Sequence, residues 1–68
     1  MTVASQVKQT VASLKGARAT LENMASIEKT PATRNLLRSN TEKLNLIIER
    51  MEQRVGELER QEPQYSGL

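Results

Sequence analysis

The segment Leu37–Leu58, LRSNTEKLNLIIERMEQRVGEL, places an apolar or small side chain at alternating steps of three and four residues. The members of this stripe are Leu37, Thr41, Leu44, Ile48, Met51, Val55 and Leu58. Such spacing puts all of them on one face of an α-helix, and that face must be covered by another helix. The segment therefore predicts a long amphipathic helix with a helical partner.

The first part of the chain repeats this pattern. Its stripe consists of Val3, Val7, Thr10, Leu14, Ala17, Leu21 and Met24. Thr30-Pro31 marks a helix start between the two stripes, because threonine caps helices well and proline suits the first helical position. Pro63 ends the second helix, since a residue before proline avoids helical geometry. We expect helices at about 2–27 and 31–61, followed by a non-helical tail at 62–68.

The connection between these helices is short, which forces them to lie antiparallel. The predicted fold class is therefore all-α, with residues 1–61 forming one helical hairpin. A fold near Lys29 would place Lys8 opposite Glu49 and Glu52, where opposite charges would meet across the hairpin.

Self-association is expected because a chain of 68 residues builds only a small core. A domain of this size usually gains roughly 3–5 kcal/mol from its core, and small proteins add disulfides, metals or oligomerisation. The chain has no cysteine and no histidine. We therefore predict a homodimer or higher oligomer, with two hairpins forming a four-helix bundle. The candidate interface residues are Leu36, Ile47, Ile48, Met51 and Val55.

Gly16 interrupts the first helix at a cost of about 1 kcal/mol relative to alanine. It lies beside Ala17 in a section of small residues. Two interpretations stay open: a tolerated surface glycine, or a partner helix that approaches closely around Gly16 and Ala17.

Catalysis is not expected. The chain lacks histidine and cysteine, and the glutamates of the second helix alternate with arginines in a way that suits surface ion pairs. Neither a glycine-rich phosphate loop nor a paired Glu-x-x-His motif occurs. We therefore predict no enzyme activity, no cofactor and no metal.

A basic tip is the candidate nucleic-acid surface, and it consists of Lys29, Arg34 and Arg38. The composition nevertheless argues against nucleic-acid binding, because the net charge is only +2 and the single aromatic residue is Tyr65. The longest apolar run, Leu46–Ile48, is too short to span a membrane, and no signal peptide is evident. A cytoplasmic protein without a transmembrane segment is expected.

The tail places Tyr65 between the rigid Pro63 and the permissive Gly67. Its ring could dock across the open end of the hairpin, near Val3 and Val7, or bind a partner. Docking on the hairpin is the favoured interpretation.

The opening TVASQVKQTVASLKGA at 2–17 and the ending EPQYSG at 62–67 resemble a small bacterial family. It is catalogued as domain of unknown function sixteen-fifty-seven and is found in spore-forming Firmicutes. The resemblance covers nearly the whole chain, although family members tend to end in Tyr-Lys-Gly-Phe and this chain ends in Tyr-Ser-Gly-Leu. It implies a role in sporulation or germination, a location in the forespore or spore interior, peripheral to the inner membrane, and a spore membrane protein as partner. It implies no catalytic residues.

The sequence thus favours a non-enzymatic structural or protein-interaction module, associated by resemblance with a spore membrane complex. One alternative is a nucleic-acid-associated protein of the spore core. Another is a peripheral membrane module, although the mixed charges of the helices differ from the uniformly basic face of interfacial helices.

Overall fold

A computed structural model, which describes residues 2–61, contains two α-helices, α1 (Val3–Ile27) and α2 (Pro31–Gln61). They pack against each other along their lengths and form an antiparallel hairpin. The all-α fold and the two helices are confirmed. The predicted tail and its residues Pro63, Tyr65 and Gly67 lie outside the described residues, so the docking of Tyr65 stays a prediction.

The helix ends follow from local chemistry. The Thr2 hydroxyl accepts a hydrogen bond from the Ser5 N–H at 3.1 Å, which satisfies an amide that the first turn leaves without a partner. At the other end of α1, Glu28 turns to extended geometry while its N–H still bonds the Met24 carbonyl at 3.0 Å. Pro31 then starts α2, and only Glu28–Thr30 separate the helices. This short connection explains the antiparallel arrangement.

The predicted stripe of α2 faces α1. Thr41, Ile48, Val55 and Leu58 are buried. The other stripe members, Leu37, Leu44 and Met51, are half-buried. Ile48 is 1% exposed and is the largest fully buried side chain of the described residues. The Thr41 hydroxyl donates to the Leu37 carbonyl at 2.8 Å, so its burial leaves no polar atom without a partner.

The predicted stripe of α1 is correct at every second position only. Val7, Leu14 and Leu21 are half-buried against α2, as expected. The stripe members Val3, Thr10, Ala17 and Met24 are exposed instead. Their places in the contact are taken by the residues one position further along, Ala4, Val11, Arg18 and Ala25. We call these positions, together with the stripe of α2, the seam.

The register of the hairpin also differs from the prediction. Lys8 Nζ lies 2.6 Å from Glu59 Oε2, and Lys15 Nζ lies 2.9 Å from Glu52 Oε2. Glu59 is about two helical turns beyond Glu52 and nearly three beyond Glu49, the expected partners of Lys8. The reason is the extended backbone at Glu28, which carries the chain past the end of α1 before α2 begins. The first turns of α2 therefore extend beyond the end of α1.

Candidate interaction faces

The hairpin is a slab with two broad faces. Its Cα atoms extend over 51 × 16 × 11 Å, so it is only one helix thick. Once the seam positions are known, the repeat of 3.6 residues per turn places each remaining residue on one of the two faces or on an outer edge. The two faces differ in chemistry.

One face carries the polar contacts between the helices, and we call it the ion-paired face. Its residues include Lys8, Lys15 and Glu22 of α1, and Asn45, Glu52 and Glu59 of α2. Both ion pairs between the helices lie on it. Their side chains are between 40% and 56% exposed, so each contributes little stability. They help to set the register.

Arg18 is a charged residue in the seam itself. Its Nη1 donates to Asn45 Oδ1 at 2.9 Å, and its Nε lies 3.6 Å from Glu22 Oε1. A polar residue at a seam position commonly specifies register at some cost in stability. Sequence reasoning missed this role because the predicted stripe passed through Ala17. The signal was Arg18 itself, which follows Val11 and precedes Ala25 at seven-residue spacing.

A groove of about 360 Å³ lies on the ion-paired face between the two ion pairs. Val11 and Val55 line it at the seam, and Ala12 and Gly56 leave it wide because they carry little side chain. Its charged rim consists of two lysines already bonded to two glutamates. The groove therefore presents no unbalanced charge that would attract an ion.

The opposite face is the apolar face. Six large hydrophobic side chains are exposed among residues 2–61. Five of them lie on this face, namely Val3, Met24, Ile27, Leu36 and Ile47. The sixth, Leu46, lies on the adjoining outer edge of α2. Both helices thus contribute unpacked apolar groups to the same side of the slab.

The two halves of the apolar face differ. The half formed by α1 has no charged residue, and small or uncharged side chains separate its apolar ends. These are Gln6, Thr10, Ser13, Ala17 and Thr20. The half formed by α2 carries long basic side chains, Lys43, Arg50 and Arg54, of which Arg54 bonds Glu57 at 3.0 Å. The α1 half is therefore uncharged and carries mostly small side chains, whereas the α2 half carries long basic side chains.

The structure divides the predicted interface residues into two groups. Ile48 and Val55 are buried in the seam, and Met51 is half-buried there. Packing within one chain therefore accounts for these three. Leu36 and Ile47 are 60% and 48% exposed on the apolar face. These two remain available to a partner.

The predicted basic tip does not converge on one patch. Lys29 is exposed in the connection beside Ile27, and Arg34 is half-buried. Arg38 lies in a second groove on the ion-paired face, bordered by Glu22 and Glu42. Two glutamates therefore share this groove with Arg38.

Gly16 lies on the outer edge of α1, and no atom of the described hairpin outside its own helix turn would come within 4 Å of an added Cβ. Close packing inside the chain does not explain this glycine. Within residues 2–61, no group of acidic side chains could hold a metal ion, and neither helix is long and apolar enough to cross a bilayer.

Comparison with curated proteins and with solved structures gave no significant match. A family model described as "Protein of unknown function (DUF1657)" matches residues 7–55, from Val7 of α1 to Val55 of α2. This match spans well over half of the chain, so the resemblance seen in the sequence is confirmed and the chain belongs to the DUF1657 family.

Proposed function

We propose that this protein is a non-enzymatic structural module that acts by packing its apolar face against other helices, and that it self-associates into a four-helix bundle. The observation that carries the proposal is that exposed apolar side chains lie on one face, with Met24, Ile27, Leu36 and Ile47 near the connection and Val3 at the other end of α1. Exposed apolar patches of this kind mark interaction surfaces in soluble proteins.

The small size of the core supports the proposal that a second pair of helices packs on the apolar face. The slab has one seam, and few of its side chains are completely removed from water. Each exposed apolar side chain on the free face would gain about 1.5–3 kcal/mol if it became fully buried. Covering that face therefore offers stabilisation comparable with what the seam of a small domain supplies.

The absence of enzyme activity is also part of the proposal. The sequence has no histidine or cysteine. In the described part, Lys8, Lys15 and Arg54 engage carboxylates in exposed ion pairs. Nothing in this arrangement gathers an acid, a base and a nucleophile in one cleft.

The biological setting is proposed from the family resemblance. We place the protein in sporulation or germination, in the forespore or spore interior, with a spore membrane protein as a further partner. A peripheral membrane role is the second candidate, because Leu36, Leu46 and Ile47 lie beside Lys43 and Arg50 on α2. Basic and apolar groups in this combination suit an anionic lipid surface.

The first experiment measures the mass of the protein by light scattering at micromolar concentration. We expect at least twice the chain mass of 7.6 kDa. Ile47→Lys should shift the protein toward monomer, because it places a charge in the covered face. Gln53→Lys adds the same charge on the outer edge of α2 and serves as the matched control. A monodisperse, folded monomer of the unaltered chain would refute self-association.

The second experiment captures partners from sporulating cells, with soluble and membrane fractions analysed separately. We expect a membrane protein that co-purifies with the unaltered chain and with Gln53→Lys, and that is lost with Ile47→Lys. Equal recovery with both variants would show that the apolar face does not make this contact.

A further inference from the structure

We propose that the apolar face is covered by a second copy of this chain in one particular arrangement, with α1 of each copy lying across α2 of the other. The twofold axis of this dimer runs parallel to the helices. The inference rests on the proposed self-association and adds to it the contact face and the helix pairing.

The available area is sufficient for a stable dimer. The helices overlap along about the length of α1, which is roughly 37 Å for its 25 residues. Two helices side by side are about 20 Å wide. The face therefore offers about 700 Å² per copy, which lies within the range of roughly 600–1,000 Å² that a stable specific interface buries on each partner. A second slab of equal size covers all of it.

The shapes of the two halves favour unlike helices across the interface. The middle of the α1 half holds Thr10, Ser13 and Ala17, whereas the α2 half holds the long side chains of Glu57, Arg54 and Arg50 at the same heights. Large side chains pack well where they face small ones. If α1 faced α1, small residues would leave a gap, and if α2 faced α2, bulky residues would collide.

The charges lead to the same pairing. Stacking α2 on α2 would bring two rows of basic residues together, and like charges at an interface are costly. The α1 half of the apolar face has no charge. Placed over α1 of the partner at the same height, Arg50 and Arg54 can lay their aliphatic stems on Ala17 and Ser13 while their charged ends reach water.

A lipid surface fits this face less well. Helices that lie on membranes combine large apolar residues with a basic rim along their whole length. Here only the α2 half is basic, and Gln6, Thr10 and Ser13 separate Val3 from Met24 on the α1 half. Half of the slab would bring uncharged polar groups to the bilayer without an electrostatic gain.

The proposed symmetry predicts which residues meet. A twofold axis parallel to the helices leaves the height of each residue along the slab unchanged. Within one hairpin Val11 is level with Val55, since both line the same groove. Ser13 is therefore nearly level with Arg54, and each lies on the apolar face. Across the dimer, Ser13 of one copy should face Arg54 of the other.

Cysteine cross-linking tests this contact directly, because the natural chain has no cysteine. Ser13→Cys and Arg54→Cys are made in separate chains, one of them carrying a mass tag, and are unfolded, mixed, refolded and oxidised. We expect a mixed disulfide as the main cross-linked species, with little cross-linking when either variant is oxidised alone. Ala19→Cys mixed with Glu49→Cys is the matched control on the ion-paired face and should give no cross-link.

Light scattering on the unaltered chain separates the possible outcomes. A dimer with the Ser13–Arg54 mixed disulfide supports the arrangement. A dimer that instead forms disulfides within either single-variant sample, or in the Ala19–Glu49 control, overturns the arrangement while self-association stands. A monomer overturns both. In that case, sedimentation with phosphatidylglycerol and phosphatidylcholine vesicles that Ile47→Lys abolishes would assign the face to lipid.

Discussion

Ile47 and Ile48 are neighbours of the same residue type in opposite environments, and this pair offers a sharp test of the hairpin. Ile48 is 1% exposed in the seam, whereas Ile47 is 48% exposed on the apolar face. Ile48→Val removes one buried methylene and should destabilise the protein by about 0.5–1.5 kcal/mol. Ile48→Ala should cost about 2–5 kcal/mol, which approaches the whole stability expected for so small a domain. Valine is therefore the informative substitution.

Thermal unfolding followed by far-ultraviolet circular dichroism measures the difference. A loss of 1 kcal/mol corresponds to a decrease in Tm of about 4–8 °C at this chain length. Ile47→Val should change the stability of an isolated hairpin by less than about 0.5 kcal/mol, as surface substitutions do. If a second copy covers the apolar face, Ile47→Val should lower the Tm increasingly as protein concentration rises. The reason is that association stabilises the folded state by mass action, and the substitution weakens that association.

The effect of Ile48→Val should persist at every concentration, since its contacts lie within one chain. An unchanged Tm for Ile48→Val would contradict the placement of Ile48 in the seam. A larger loss for Ile47→Val than for Ile48→Val at the lowest concentration would mean that the helix is rotated from the position described. Either result would refute the division of α2 into seam and free face.

Two further substitutions test other features of the hairpin. Gly16→Ala should raise stability by about 0.5–1 kcal/mol, measured by urea denaturation, because alanine favours the helix and nothing lies within 4 Å of its Cβ. A decrease would instead reveal a partner packed against Gly16. Arg18→Leu should raise the free energy of unfolding by about 1 kcal/mol, since an apolar side chain suits the seam better than a partly desolvated charge. A loss of stability would show that the bonds to Asn45 and Glu22 outweigh that desolvation.

The ends of both helices and the buried stripe of α2 were predictable from local features. Thr2 caps α1 through a contact three residues away, and Pro31 can start a helix wherever it occurs. The stripe of α2 was clear because most residues beside it are polar or charged, with Leu36 and Ile47 as the apolar exceptions. Periodicity placed Ile48 and Val55 on the face that a helical partner buries, but it did not decide whether that partner was α1 or a second copy.

Helix α1 was ambiguous for the opposite reason. Its apolar arc is wide enough for two stripes that share Val7, Leu14 and Leu21, and periodicity does not choose between them. The structure buries the stripe through Val11, which brings Lys8 and Lys15 to the edge of α2 where they bond glutamates. Such a wide arc is typical of a helix that packs against two partners rather than one.

Hydrophobic spacing therefore determined the number, length and antiparallel pairing of the helices, because those properties depend on local geometry and on a short connection. The register, the rotation of α1 and the choice of Arg18 for the seam depended on contacts between residues far apart in the chain. The extended backbone at Glu28 shifts α2 by about two turns, and no local pattern encodes that displacement. The apolar face depends on the rotation of α1, which places Met24 on the same side of the hairpin as Ile47, and on the register, which decides how near these residues lie along the helices.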